Sequence, residues 1–257
     1  MKDWIRVALG VLMSLGIVAL LVMAFLPRQA PSTAAGEPAA EPTTAAPIAS
    51  APPSEPAAPV ETAPSAPAIT NITVIGDGWT SGSSANSGPD ALWPALIGQQ
   101  FAVETRPAGA PGSGYVASGS SGSTFLDLVQ ESDPATGAIV VFGSSNDSGA
   151  TYDELYASAA ELYEALAQRS PDAPVLVIGP AYLESAEGLS SEEITNRDAI
   201  RDAAVAAGLT FVDPVAEDWF AAEDPELVAA NGVNPNDDGQ VYLAERIAPS
   251  IQALLGR

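Results

Sequence analysis

Histidine and cysteine are absent from the 257-residue chain, and lysine occurs once, as Lys2. Without cysteine, disulfides, thiolate metal ligands and a lipid-modified cysteine anchor are excluded. Without histidine, the chain lacks the side chain that most often acts as a general base near neutral pH. A hydroxyl nucleophile in this protein would therefore need another base. Lys2 does not supply it, because a long apolar run separates Lys2 from the rest of the chain and is predicted below to be a membrane anchor.

Basic residues are scarce throughout. The chain has nine lysines and arginines against 32 acidic residues, a formal net charge of −23. A field of this sign repels polyphosphate, so we expect no nucleic-acid partner. It favours cations or neutral ligands, or simply keeps the protein soluble. The acidic clusters lack the spacing of a calcium loop, and we predict no metal site and no cofactor.

One long hydrophobic run stands at residues 7–26. As a helix, 20 residues span about 30 Å, the thickness of a bilayer core. Lys2 and Arg6 precede the run and Arg28 follows it, which predicts that residues 1–6 form a cytoplasmic tail. We therefore predict a single-pass anchor in the cell membrane with the C-terminal domain outside the cell. A cleavable signal peptide is the alternative, and it implies the same location.

Residues 27–69 are rich in proline, alanine and threonine and contain almost no large apolar residues. Such a composition predicts a disordered linker. If fully polyproline-like, the segment could reach about 130 Å and hold a domain away from the membrane. A spacer with no specific reach is an equally good interpretation.

Residues 70–257 are enough for one domain with a full core, and short apolar runs alternate in them with longer helical patterns. This order predicts a three-layer α/β/α sandwich with a mainly parallel five-stranded sheet, whose ligands bind beyond the carboxyl ends of the strands. The predicted strands are residues 72–75, 101–106, 138–142, 175–178 and 209–212, and the predicted helices are residues 90–100, 123–130, 152–169, 192–207 and 238–255.

Four stretches rich in glycine and asparagine fall at such strand ends or in a late loop. Gly76, Gly78 and Gly82 nearly form a dinucleotide-binding fingerprint, but the third glycine is one position late and the lysine of a P-loop is missing, so nucleotide binding is disfavoured. The stretches are Gly76-Asp77-Gly78, Gly112-Ser113-Gly114-Tyr115, Gly143-Ser144-Ser145-Asn146-Asp147 and Asn231-Gly232-Val233-Asn234-Pro235.

Together these stretches resemble, in order, the sequence blocks of the SGNH or GDSL hydrolases. That family has a Gly-Asp-Ser block after the first strand, a glycine in a second block, a Gly-x-Asn-Asp block after the third strand and an Asp-x-x-His block before the last helix. The counterparts here are VIGDGWTSG, GAPGSGY, VVFGSSND and NGVNPNDDGQVYLA. The resemblance covers essentially all of residues 70–255 and implies an SGNH or flavodoxin-like fold and serine esterase chemistry.

The resemblance also implies where a catalytic triad would stand. Family members carry the nucleophilic serine at the position of Gly78, the orienting aspartate at Asn231 and the general-base histidine at Asn234. All three are substituted in this chain. Glycine has no side chain, and asparagine forms hydrogen bonds but does not accept a proton, so we predict a pseudoenzyme.

The family's groups that stabilise negative charge do have counterparts. The resemblance implies an oxyanion hole formed by the backbone N–H groups of Gly78 and Gly112 and by the side chain of Asn146. Gly109 and Gly114 are alternatives to Gly112. A simpler interpretation is that the glycines serve turns and that Asn146 caps one.

Four further residues are predicted to line the cleft: Asp77, Trp79, Tyr115 and Ser144. Ser144 replaces the glycine of the family's third block, which predicts a reshaped loop. Trp79 and Tyr115 would flank the site, where their rings could stack on a sugar, although packing against the sheet is the commoner role of such aromatics.

Three functions are compatible with these residues. The favoured one is a membrane-anchored pseudoenzyme that binds an acylated or carbohydrate component of the cell envelope. The second is a hydrolase in which a carboxylate, such as Asp77 or Asp147, activates water; a raised pKa in the cleft would support it. The third is a structural module that docks a protein, whose identity the sequence does not indicate.

Overall fold

The computed structural model of the chain describes residues 68–131, 137–183, 187–220, 225–230 and 232–256. The predicted tail and anchor, nearly all of the predicted linker, and Asn231 lie outside the described residues. Within the described ranges, none of the helices combines the length and the apolar character needed to cross a bilayer. All the described residues fall in one compact unit, residues 63–257.

Five strands form one sheet in the order β2-β1-β3-β4-β5, and every neighbouring pair is parallel. The predicted parallel five-stranded sheet is confirmed. The central strand β3 is buried at every position, as expected for a strand covered on both faces. The strands are β1 (Asn71–Gly76), β2 (Glu104–Gly109), β3 (Ala138–Phe142), β4 (Val175–Ile178) and β5 (Thr210–Val212).

Helices cover both faces of this sheet, and one of the two longest helices begins at a capping box. The Thr151 side chain accepts a hydrogen bond from the Glu154 backbone while Glu154 reaches back, which fixes the start of an 18-residue helix. The helices are α1 (Gly78–Ser81), α2 (Trp93–Phe101), α3 (Phe125–Glu131), α4 (Tyr152–Arg169), α5 (Ser191–Ala206) and α6 (Asp237–Leu254), with short 3₁₀ turns at Pro89–Ala91 and Pro225–Leu227.

The alternation of side chains along β3 separates two hydrophobic cores. Val140 and Phe142 pack on the face covered by α2 and α6, together with Trp93. Ile139 and Val141 pack on the face covered by α3, α4 and α5. Burial of each such side chain contributes roughly 1.5–3 kcal/mol to folding, so packing on both faces stabilises the register of the strands.

Two local elements differ from the predictions. The strand β2 begins at Glu104 rather than at residue 101, because α2 continues through Phe101 and Ala102 ends it with a left-handed φ of 52°. The short helix α1, directly after β1, was not predicted, since the Gly, Ser and Asn content beyond it is typical of a loop.

The strand register brings the loops of interest to one edge of the sheet. Gly76, the last residue of β1, lies level with Gly109 at the end of β2 and with Phe142 at the end of β3. The segments that follow these three strands therefore start side by side.

Candidate functional site at the carboxyl edge of the sheet

Gly78 and Asn234 lie against each other at this edge. A Cβ atom added to Gly78 would lie 3.3 Å from Asn234 Oδ1 and 3.7 Å from Pro111 Cα. The start of α1, the loop after β2 and the loop before α6 thus converge on Gly78. The two positions that the sequence assigns to a nucleophile and its base are neighbours in space, although neither residue type can do that chemistry.

The turn that presents Gly78 is built by its neighbours Gly76 and Asp77. Asp77 Oδ1 accepts a hydrogen bond from the Trp79 backbone N–H at 2.9 Å and so caps α1. Any side chain at position 76 would collide with Thr80 and with the Phe142 carbonyl oxygen. The chain therefore passes from β1 into α1 within a turn that only glycine at position 76 permits.

Asn146 is half-buried, and both hydrogens of its side-chain amide are used inside the protein. Its Nδ2 donates to Asp77 Oδ2 at 2.7 Å and to the Ser113 carbonyl oxygen at 3.0 Å. An amide nitrogen has two hydrogens to donate. Asn146 thus connects the loops after β1, β2 and β3, and in this arrangement it has no hydrogen left for an oxyanion.

Asp77 is buried, with 5% of its surface exposed. Burial raises the pKa of its carboxyl from 3.8 to about 6, more than the hydrogen bonds from Trp79 and Asn146 lower it, and the negative charge of Asp147 raises it further. A group with this pKa changes its protonation in mildly acidic conditions.

Asp147 organises the loop after β2. Its carboxylate accepts hydrogen bonds from the consecutive backbone N–H groups of Tyr115, Val116 and Ala117, at 2.8–3.1 Å, and from the Ser144 hydroxyl at 3.2 Å. The carboxylate lies so close to Gly114 that a Cβ there would overlap it. Gly114 is therefore required by packing against Asp147.

Two backbone donors at the edge are not used within the described part of the chain. In that part, neither the Gly78 N–H nor the Gly112 N–H donates a hydrogen bond to a protein acceptor. The Gly114 N–H, in contrast, donates to the Ala117 carbonyl oxygen at 2.8 Å, and Gly109 packs against Ser81 of α1. Of the three candidate glycines in this segment, Gly112 is thus the one that geometry favours as a donor.

Residues 74–241 match the model of a known family, described as the GDSL-like lipase/acylhydrolase family. The chain belongs to this GDSL family. A protein named GDSL lipase Rv0518, from Mycobacterium tuberculosis, is 34% identical over 189 residues, which cover 70% of this chain and 80% of the relative.

Solved structures show the same fold. A lipase/acylhydrolase from Enterococcus faecalis has a TM-score of 0.56 at 17% identity, covering 72% of this chain and 96% of that one. A carbohydrate acetylesterase family member from Sinorhizobium meliloti has a TM-score of 0.55 at 15% identity, covering 74% of this chain and 100% of that one.

The two aromatic residues predicted to flank the site of this GDSL-family protein are largely buried. Tyr115 is 3% exposed, its ring lies against Phe125, and its hydroxyl is 2.9 Å from that of Tyr163. Trp79 is 7% exposed and packs edge-on against Phe142. Both rings thus pack against other aromatic side chains, which is the commoner role of such residues.

A narrow crevice and a wider pocket are lined in part by the loops that follow β1, β2 and β3. The crevice has a volume of about 10 Å³, room for about one water molecule, and its lining includes Asp77, Trp79 and Ser144. The wider pocket has a volume of about 330 Å³. It is lined by Val116, Ala117, Asn146, Asp147, Ser148, Gly149, Ala150 and Glu154.

Two residues near the site form hydrogen bonds that were not predicted from the sequence. Gln240 joins α6 to α1, and Asn86 joins the loop after α1 to the loop before α6. Gln240 of α6 is fully buried, where its Oε1 accepts from the Trp93 backbone N–H and its Nε2 donates to the Trp79 carbonyl oxygen. Asn86 Nδ2 donates to the Pro235 carbonyl oxygen. A single glutamine in an amphipathic helix carries no signal for such a role, because polar residues in helices usually face solvent.

The remaining predicted site residues are placed as follows. The Asn234 backbone carbonyl accepts a hydrogen bond from the Ala229 N–H at 2.8 Å, which closes the last loop. Asn231 lies outside the described residues, so its assignment to the position of the family's orienting aspartate stays a prediction. Among the residues that the structure describes, no group of three or more acidic side chains is gathered in a way that could hold a metal ion.

Proposed function

We propose that this GDSL-family protein is a catalytically inactive member that binds an acylated or carbohydrate ligand of the cell envelope without cleaving it, from an anchored position outside the cell. The contact between Gly78 and Asn234 carries the proposal. Where the family places a nucleophile and a base within reach of each other, this chain places a residue without a side chain beside an amide.

The loss of this pair removes most of the chemistry of a serine esterase. Substitution of a nucleophile or a base typically costs many orders of magnitude in turnover, whereas an oxyanion hole and binding alone keep about 10³–10⁴ over water. The full sequence contains no histidine, so no imidazole from elsewhere in the chain can replace the base.

Ligand binding is supported by what the edge retains. The Gly78 and Gly112 N–H groups donate to no protein acceptor within the described part of the chain, and Asn146 is part of the lining of the wider pocket. The relatives named above are a lipase, a lipase/acylhydrolase and a carbohydrate acetylesterase family member, which act on acyl compounds. A neutral acyl or sugar ligand also suits a chain with a net charge of −23.

Hydrolysis of p-nitrophenyl acetate by the full chain, beside an Asn146→Ala variant, tests the inactivity. We expect no turnover above buffer in either protein. Turnover that disappears with Asn146→Ala would contradict the proposal, because it would show that the donor site still performs ester chemistry. Binding is tested separately with a neutral acyl probe that is not cleaved.

A second candidate function is hydrolysis in which Asp77 activates water. The observation in its favour is that Asp77 has a pKa of about 6 and lines a crevice large enough for about one water molecule. Esterase activity that rises with pH through about 6 and is lost in Asp77→Asn, but is kept in an exposed control such as Asp172→Asn, would establish this function in place of the first.

A further inference from the structure

The side-chain amide of Asn146 has its two donors committed to acceptors of different strength. The Ser113 carbonyl oxygen is neutral and lies 3.0 Å away, whereas Asp77 Oδ2 belongs to a carboxylate and lies 2.7 Å away. Hydrogen bonds to a charged acceptor are shorter and roughly twice as strong as neutral ones. A ligand carbonyl oxygen can thus obtain a hydrogen bond from Asn146 only by displacing one of these acceptors.

The charged form of Asp77 depends for part of its stabilisation on the hydrogen bond from Asn146. The groups that donate hydrogen bonds to its carboxyl, the Trp79 backbone N–H and the Asn146 amide, are neutral. Asp147, on the loop after β3, is the charged side chain that acts on Asp77, and its negative charge disfavours ionisation of Asp77. Asp77 is therefore held in a buried site where hydrogen bonds, rather than a counter-ion, stabilise its charged form.

We infer that Asp77 is a positioning residue that withholds the Asn146 amide from a ligand while it is charged and releases the amide when it is protonated. The inference rests on the proposed function, since it concerns the same cleft. A neutral carboxyl is a weaker acceptor than a carboxylate and carries its own hydrogen to place. Asn146 is then able to add a third donor to those of Gly78 and Gly112.

The consequence is a cleft whose affinity for a carbonyl oxygen increases in mildly acidic conditions. Burial and the neighbouring Asp147 raise the pKa of Asp77 to about 6, so the change falls around that pH. One added hydrogen bond of ordinary strength corresponds to about a 3- to 10-fold gain in affinity.

The state of the Asn146 amide is measured first, because it needs no ligand. In the ¹⁵N-labelled full chain, the two amide proton resonances of Asn146, assigned by their absence in Asn146→Ala, are followed from pH 4.5 to 8. We expect them to shift with a midpoint near 6 in the wild type and in Asp172→Asn, whose exposed aspartate lies in the turn before β4, and to stay constant in Asp77→Asn. Resonances that do not change with pH, or that change equally in Asp77→Asn, would overturn the inference.

Binding is then measured with N-octylacetamide, a neutral acyl amide that does not titrate in this range. We expect it to bind about 3- to 10-fold more tightly at pH 5 than at pH 7.5, and equally at both in Asn146→Ala. Equal wild-type affinity at the two pH values contradicts the role of Asp77. Absence of binding at either pH, while the Asn146 resonances still titrate, counts against the proposed ligand class and leaves the coupling of Asp77 to Asn146 supported.

Discussion

The indole Nε1 of Trp79 donates a hydrogen bond to the backbone carbonyl oxygen of Val233 across 3.1 Å. This contact joins the first turn after β1 to the loop before α6, two segments that are 154 residues apart in the chain. Gly78 and Asn234 are the direct neighbours of the two bonded residues, so the bond helps to keep these two positions together.

Replacing Trp79 by phenylalanine is expected to loosen the last loop while keeping an aromatic ring in the core. The loss of one partly buried hydrogen bond should lower the free energy of unfolding by about 1 kcal/mol, measured by urea denaturation. Amide hydrogen exchange of residues 232–234 should become faster than in the wild type. The Trp79→Ala variant, which also leaves a cavity beside Phe142, should cost about 3–5 kcal/mol. Equal stability of wild type and Trp79→Phe would show that the bond contributes nothing.

Whether a feature could be predicted from the sequence depends on how far apart in the chain the interacting residues lie. Buried strands such as β3 are encoded locally, because an apolar run of branched residues suits a covered parallel strand wherever it stands. The contact of Gly78 with Asn234 could be predicted for a different reason, because both residues lie in sequence blocks whose order matches that of a known family. The burial of Tyr115 against Tyr163 was not, because the direction of a side chain in a loop depends on contacts with elements far along the chain.

Asp147 illustrates a further limit of sequence reasoning. An acidic residue in a polar loop is typical of a cap or of a candidate base, yet Asp147 is 2% exposed and accepts hydrogen bonds from three consecutive backbone N–H groups. For its partner Gly114 the sequence left two roles open, a turn residue or a backbone donor, whereas the actual constraint is the carboxylate beside it. Both roles depend on where the loop after β2 meets the loop after β3.

The packing of Gly114 against Asp147 predicts non-additive stability effects. Gly114→Ala should lower the free energy of unfolding by about 2 kcal/mol or more, because its methyl group overlaps the carboxylate. Asp147→Ala should cost about 3 kcal/mol or more, since three N–H groups lose their acceptor. In the double variant the alanine at 114 has room, so the combined cost should be smaller than the sum of the two. Strict additivity in denaturant unfolding would contradict the contact.

Asp77 should make the protein less stable as the pH rises. The pKa of its carboxyl is about 6 in the folded chain, against 3.8 for an ordinary exposed aspartate, so the folded state binds the proton more tightly. Its favourable contribution is complete below pH 3.8 and is lost as the pH rises through about 6. Two pKa units correspond to about 3 kcal/mol.

The other carboxylates with shifted pKa values act in the opposite direction, since those of Asp127, Glu154, Asp202 and Asp237 are lowered. The measurement is therefore the difference in unfolding free energy between the wild type and Asp77→Asn, followed from pH 3.5 to 7.5. This difference should move against the wild type by about 3 kcal/mol across the range. A constant difference would show that the carboxyl of Asp77 titrates alike in the folded and unfolded chains.

Rebuilding the triad should give this chain the activity that its family is named for. Gly78 does not have a left-handed φ, and a Cβ there meets only the flexible side chain of Asn234 at close range, so serine fits the site. The triple variant Gly78→Ser, Asn231→Asp, Asn234→His would then place a hydroxyl beside an imidazole at the same edge as the Gly78 and Gly112 donors. A positioned general base contributes about 10²–10⁴-fold, so hydrolysis of p-nitrophenyl acetate should rise at least about 100-fold above the wild type. The double variant that keeps Asn234 has the serine without its base and should stay near the wild-type level. A folded triple variant no more active than that double variant would mean that positions 78 and 234 are neighbours without being the family's nucleophile and base positions.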